Sequence, residues 1–86
     1  MKKYVAHINI MPLKDLLDPQ GKAVFHSMQK LGFTEVSSVR IGKHITLYLE
    51  AESEDHAKKR VNEACEKILA NPVMEGYSYT IEADQE

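Results

Sequence analysis

The stretch from Ser53 to Pro72 fixes more of the fold than any other. Apolar residues recur at Ala57, Val61, Ala64, Cys65, Ile68 and Leu69. Steps of three and four bring such residues onto one face only in an α-helix. Ser53 is a good N-cap, Glu54 and Asp55 complement the helix dipole just after it, and Asn71-Pro72 stops the helix. A helix with one apolar stripe must lie on a floor, and the rest of the chain has to supply it.

That floor reads as β-structure. Lys3 to Met11 alternates, with Tyr4, Ala6, Ile8 and Ile10 on one face and Val5, His7, Asn9 and Met11 on the other; Pro12 closes the strand. A short loop is expected over Leu13 to Leu17. Asp18-Pro19 then opens another helix, with Asp18 as N-cap and Pro19 in the first helical position. Its stripe is Val24, Phe25, Met28 and Leu31, and Gly32 supplies a left-handed end over which Phe33 packs back. Thr34 to Ile41 reads as a second strand whose apolar phase slips at Ser37-Ser38, as a bulge would produce. Gly42-Lys43 suits a two-residue hairpin turn with glycine at positive φ. His44 to Glu50 is a third strand with Ile45, Leu47 and Leu49 on one face, and Glu75 to Glu82 a fourth with Tyr77, Tyr79 and Ile81. Residues 83–86 read as a frayed acidic tail.

The order β-α-β-β-α-β predicts one α+β domain over residues 1–86, a ferredoxin-like sandwich. Its four-stranded antiparallel sheet would carry both helices on one face. The other face would be uncovered, with Val5, Met11 and Tyr48 among polar residues, a plausible place for a second copy. At 86 residues the core is thin, and one cysteine cannot form an internal disulfide, so assembly with a partner is expected to add stability. Eleven basic against thirteen acidic residues give no electrostatic footprint for nucleic acid, and no apolar run approaches the ~20 residues of a membrane span. Neither a signal peptide nor a disordered composition is evident.

The chemistry-bearing residues have modest readings. Cys65 sits on the helical stripe and reads as a small core hydrophobe. His7, His26, His44 and His56 show no metal-ligand spacing, although His7 and His44 lie on strands that could be neighbours. No glycine-rich phosphate loop occurs. Gly21 is the least explained glycine: in the first turn of a helix it costs about 1 kcal/mol relative to alanine, unless another backbone or a ligand approaches closely. Arg40 and Lys43 flank Ile41-Gly42, either as a solvated hairpin tip or as an anion or interface contact, with Arg40 offering a planar fork for a carboxylate. Strand three has one aromatic, Tyr48, which argues against an RNA-recognition module. The C-x-x-C of copper chaperones is absent from the first loop.

Three stretches go further. They are Leu17-Asp18-Pro19-Gln20-Gly21-Lys22-Ala23-Val24, Val39-Arg40-Ile41-Gly42-Lys43, and the run from Cys65 through Asn71-Pro72 to Gly76-Tyr77. In that order and spacing the chain resembles, over nearly its whole length, the PurS family, the small subunits of phosphoribosylformylglycinamidine synthase. Gly76 departs from the family pattern, which often has Asp or Asn there.

The resemblance implies a subunit without a catalytic site or a bound cofactor of its own. Such subunits dimerise and join a glutaminase subunit to a large synthetase subunit that uses ATP and Mg. The assembled ligase makes formylglycinamidine ribonucleotide from formylglycinamide ribonucleotide, glutamine and ATP, in the cytoplasm, with ammonia passing between subunits. A dimer is expected, and stacking of dimers into tetramers is left open. The residues implied for assembly are Asp18, Gln20 and Gly21 in one patch, Arg40, Gly42 and Lys43 in another, and Asn71 as the cap of the turn before strand four. For Asp18 the simple capping role competes. A small-ligand regulatory domain of the same topology is the alternative.

Overall fold

Residues 1–13 and 18–84 are described by a computed structural model. The expected loop at 13–17, apart from Leu13, and the end of the expected tail lie outside the described residues. Five elements form in chain order: β1 (Lys2–Pro12), α1 (Pro19–Lys30), β2 (Lys43–Ala51), α2 (Glu54–Ala64), which runs into a π-helical turn over Cys65–Leu69, and β3 (Glu75–Ala83).

The alternation in the first strand sets its place at the centre. β1 pairs antiparallel with β2 on one side and β3 on the other, in the order β2-β1-β3. Ile8 stands between Ile45 and Tyr79, and Ala6 between Leu47 and Ile81. Ala6, Ile8 and Ile10 are fully buried beneath Val61 and Cys65 of α2 and its extension. Each large side chain removed from water in this way contributes roughly 1.5–3 kcal/mol. Tyr4, Ala51 and Ala57 form a second small cluster at the far end. Ser53 Oγ accepts the His56 amide at 3.1 Å, the expected cap. Tyr77 Oη donates to Asn62 Oδ1 at 2.7 Å and Tyr79 Oη to the Lys58 carbonyl at 3.4 Å, so α2 is pinned over the β3 side of the sheet. The last strand runs through Ala83, and the Asp84 amide donates to the Lys3 carbonyl at 2.9 Å.

The helical stripe of α2 is interrupted near its end. The Ala70 amide bonds the Cys65 carbonyl five residues back, at 3.0 Å. This wider turn inserts one residue relative to an α-helix. Leu69 therefore packs against the core, whereas Ile68, expected on the stripe, is 79% exposed.

The expected four-stranded sandwich is corrected at its second strand. Among the described residues the sheet has three strands, and Thr34–Ile41 joins no ladder. No bulge forms at Ser37-Ser38 and no hairpin closes at Gly42-Lys43; Gly42 does not adopt positive φ, and Gly32 is the one glycine that does (φ 96°). The reason lies in what satisfies the segment. Gln29 Nε2 donates to the Val36 carbonyl at 2.9 Å, and the Ile41 amide donates to Asp18 Oδ2 at 2.9 Å. Side chains at both ends of α1 thus hold residues 36–41 alongside the helix. From Asp18 to Gln29 a helix rises about 16 Å at 1.5 Å per residue. Residues 36–41 cover that distance in five steps of about 3.3 Å, the rise of a β-strand. The segment is extended but lies against its own helix.

The expected placement of both helices on the sheet is corrected for the same reason. No strand has substantial packing with α1. Helix and extended segment form an arm, residues 18–42, that projects from the three-stranded body. The radius of gyration is 16.7 Å with extents of 52 × 30 × 14 Å, against about 12 Å for a compact chain of this length.

The face of the sheet away from α2 is more polar than expected. Beside Val5, Met11 and Tyr48 the strand register places His7, Asn9, His44, Thr46, Thr80 and Glu82 there. The His7 and His44 rings stack with centroids 5.9 Å apart. His7 Nε2 lies 3.2 Å from Glu82 Oε1, and His44 Nδ1 lies 2.8 Å from Asn9 Oδ1. Val5 is buried and Tyr48 exposed.

Candidate functional site: the cleft between arm and body

The arm leaves the body at a cleft of about 630 Å³. Four parts of the chain meet there: the end of β1 at Pro12, the start of α1, the Ile41–Lys43 stretch that enters β2, and the Asn71–Glu75 turn that leads into β3. Five of the seven residues singled out in the sequence line it: Asp18, Gln20, Gly42, Lys43 and Asn71. The other two, Gly21 and Arg40, lie outside its lining but tie the arm in place.

Asp18 does more than cap. Its Oδ1 accepts the Gly21 amide at 3.0 Å, as an N-cap should, and its Oδ2 accepts the Ile41 amide at 2.9 Å. These two amides, with the nearby Arg40 charge, hold its carboxyl below the usual carboxylate range. Gly21 explains itself in the same geometry. A Cβ there would strike the Val39 carbonyl oxygen and Asp18 Oδ2. The close approach is that of the arm's own extended backbone.

Gly42 sits against β1, where a Cβ would collide with the Ile10 carbonyl oxygen and Met11 Sδ. Arg40 Nη2 donates to the Pro12 carbonyl. Its guanidinium is exposed and bonded to a backbone oxygen, and among the described residues it closes no ion pair with a carboxylate.

Asn71 organises the far wall. Its Oδ1 accepts the Val73 amide at 3.0 Å, and its carbonyl accepts the Met74 and Glu75 amides at 3.1 and 2.7 Å. This is the expected turn cap, closed by Glu75, whose Oε1 accepts the Asn71 amide at 2.8 Å. Glu75 Oε2 stands 3.8 Å from Lys43 Nζ, joining the turn to the start of β2. Sequence reasoning missed Glu75; its signal was the register that opposes it to Pro12. The Leu13 amide bonds the Met74 carbonyl at 2.9 Å. Leu13, Val73 and Met74 leave an apolar rim that is 42%, 77% and 51% exposed.

The other candidates separate. Cys65 is fully buried, and burial, reinforced by Glu66, pushes its thiol pKa up, as suits a core residue. His7 and His44 do become neighbours, on the polar face. Among the described residues no three His, Cys, Asp or Glu side chains are grouped as metal ligands would be, and no helix is long and apolar enough to cross a membrane.

Most polar groups of the cleft are satisfied within the chain. What it offers outward is the Gln20 side chain, an apolar rim and a fixed backbone, which is the chemistry of a contact surface. A family model described as PurS, phosphoribosylformylglycinamidine (FGAM) synthase, matches residues 5–83. The chain is 42% identical over 80 residues to the PurS subunit of that synthase from Synechocystis sp., covering 93% of this chain and 80% of that one. It is 40% identical over 79 residues to the Bacillus subtilis PurS subunit, covering 92% and 93%. Among solved structures, Bacillus subtilis PurS superposes with a TM-score of 0.80 at 39% identity, over 92% of this chain and 98% of that one. A chain in the structure of PurLQS from Thermotoga maritima gives 0.87 at 30% identity, over 95% and 100%.

Proposed function

The chain belongs to the PurS family of phosphoribosylformylglycinamidine synthase subunits, and from that premise we propose that it is a non-catalytic assembly subunit. It acts as a homodimer that bridges a glutaminase subunit and an ATP- and Mg-dependent synthetase subunit in cytoplasmic purine biosynthesis. The glutaminase releases ammonia, and the synthetase activates the amide oxygen of formylglycinamide ribonucleotide so that ammonia can displace it. Ammonia that escapes to water is protonated and lost as a nucleophile, so a bridge that holds the two sites together serves the reaction.

One observation carries this reading. The arm presents an apolar stripe to solvent, with Val24 40%, Leu31 76% and Phe33 46% exposed. A 12-residue helix with so little packing on its own body is marginal alone. Its form makes sense when another surface covers it. The match to a chain of PurLQS from Thermotoga maritima supports an assembly role.

Size-exclusion chromatography of the chain mixed with the glutaminase and synthetase of the same source tests the reading. Co-elution of all three, lost when the chain is omitted, is expected. A glutaminase and synthetase that associate equally well without it would overturn the bridging role.

The alternative, a small-ligand regulatory domain, draws on the cleft, whose volume suits a small molecule. Its lining groups, however, are largely bonded to one another. Thermal unfolding with and without amino acids and nucleotides separates the two, because a true ligand raises stability by mass action.

A further inference from the structure

Among the described residues the sheet has two free edges. That of β2 runs on directly from the arm, whereas that of β3 lies on the far side of β1. β3 is nine residues long, and its register with β1 is unbroken from Glu75 to Ala83. The register decides which backbone groups point outward. The Asp84 amide bonds the Lys3 carbonyl and the Leu13 amide bonds the Met74 carbonyl, so the even-numbered residues along β3 bond β1. Tyr77, Tyr79 and Ile81 therefore turn their amides and carbonyls away from the sheet. Among the described residues nothing bonds these groups.

Folded chains ordinarily guard such an edge with lysine, proline or a bulge. β3 has none of these. Its Tyr-Ser-Tyr-Thr-Ile centre is rich in strand-forming residues, and α2 fixes it in place through the hydroxyls of Tyr77 and Tyr79. We propose that the free edge of β3 docks an extended, basic segment of a partner subunit, which joins the sheet as an added strand. The proposal rests on the assembly reading above and names its surface and mode of contact.

Charge selects the occupant. Carboxylates stand beside the edge on both faces of the sheet. Glu66 accepts from Asn62 Nδ2 at 3.3 Å on the α2 side, where Asn62 also takes the Tyr77 hydroxyl, and Glu82 lies on the open face with His7 as its partner. Among the described residues neither carboxylate pairs with a lysine or arginine. Successive side chains of an added strand point to opposite faces, so basic residues at neighbouring positions reach both. Lys58 borders Tyr79 through its carbonyl, which places the basic residue of the α2 face at the Tyr77 end. Pairing of two copies through β3 is disfavoured, because β3 carries Glu75 and Glu82 and no cation and would bring only acidic side chains to the edge. In strand addition the main-chain bonds supply affinity, and the alternating side chains supply selectivity.

Amide hydrogen exchange, read residue by residue by mass spectrometry, tests the proposal on the chain alone and on the chain mixed with the glutaminase and synthetase of the same source. The amides of Tyr77, Tyr79 and Ile81 should exchange fast in the chain alone and slow by about tenfold or more in the complex, while those of Ser78 and Thr80, already bonded to β1, stay slow in both. Ser78 is exposed on the open face. Ser78→Lys should lower affinity for the partner by about tenfold or more, and Ser78→Glu should preserve it. Equal binding by the two variants would overturn the basic character of the segment. Outward amides already slow in the chain alone would give the edge to a second copy and overturn the proposal. An assembled complex in which the three amides still exchange fast would overturn strand addition alone. Failure of any complex to form would overturn the bridging reading itself.

Discussion

The carboxylate of Asp18 accepts the backbone amide of Ile41, 23 residues away, at 2.9 Å while capping α1 through Gly21. One side chain thereby starts the helix and fastens the extended segment that returns beside it. The arm behaves as a unit because of this tie and its counterpart at Gln29.

The tie has a pH signature. Asp18 is held below the usual carboxylate range in the folded chain, so the unfolded chain binds its proton first as pH falls. The stability it contributes is complete above the unfolded carboxyl pKa near 3.9 and is lost as pH falls through the lower folded value. Denaturant unfolding of Asp18→Asn against wild type should show the variant less stable at pH 7. The difference should shrink below about pH 4. A constant difference across that range would remove the ionised carboxylate from the account.

Gly21→Ala should destabilise the chain. At an ordinary helical position this change gains about 1 kcal/mol. Here the methyl group would enter the space of the Val39 carbonyl oxygen, and backbone cannot yield as a flexible side-chain end can. Thermal unfolding reads the sign directly, and a raised Tm would mean that helix and segment do not pack as described.

Ile8 and Ile68 should respond unequally to truncation, although both are isoleucines in elements with clear apolar patterning. Ile8→Ala should cost about 2–5 kcal/mol because Ile8 is fully buried. Ile68→Ala should change the stability of the isolated chain by less than about 0.5 kcal/mol, because the π-helical turn directs it outward. Comparable losses for the two would mean that the stripe continues as a regular α-helix.

Leu31→Glu should leave the chain folded and weaken its self-association. Leu31 is 76% exposed and closes the apolar stripe of α1. Circular dichroism should be unchanged while sedimentation shifts toward the monomer. Unchanged self-association would take the stripe out of the interface.

Much of this was legible in the sequence where one local rule governed. Ser53, Asp18, Gly32 and Asn71 were readable as caps because each satisfies backbone groups within a few residues. The three paired strands were readable because alternation and burial agree in them. Thr34–Ile41 misled because β-patterning signals a capacity to pair and does not say whether the segment joins a ladder. Its phase slip at Ser37-Ser38 suggested a bulge, whereas the Val36 carbonyl and the Ile41 amide are met by the side chains of Gln29 and Asp18. Ile68 misled because nothing in the stripe marks a π-helical turn. The convergence of Asp18, Gln20, Gly42, Lys43 and Asn71 on one cleft was not readable from spacing; resemblance picked the residues and the topology assembled them.

The central claim is that this chain couples two partner subunits and performs no chemistry itself. The most direct measurement is the rate of formylglycinamidine ribonucleotide formation by the glutaminase and synthetase, with glutamine as nitrogen donor, with and without the chain. The account predicts that glutamine-dependent synthesis needs the chain, while synthesis from added ammonium salt by the synthetase proceeds without it. Full glutamine-dependent synthesis in the absence of the chain would contradict it.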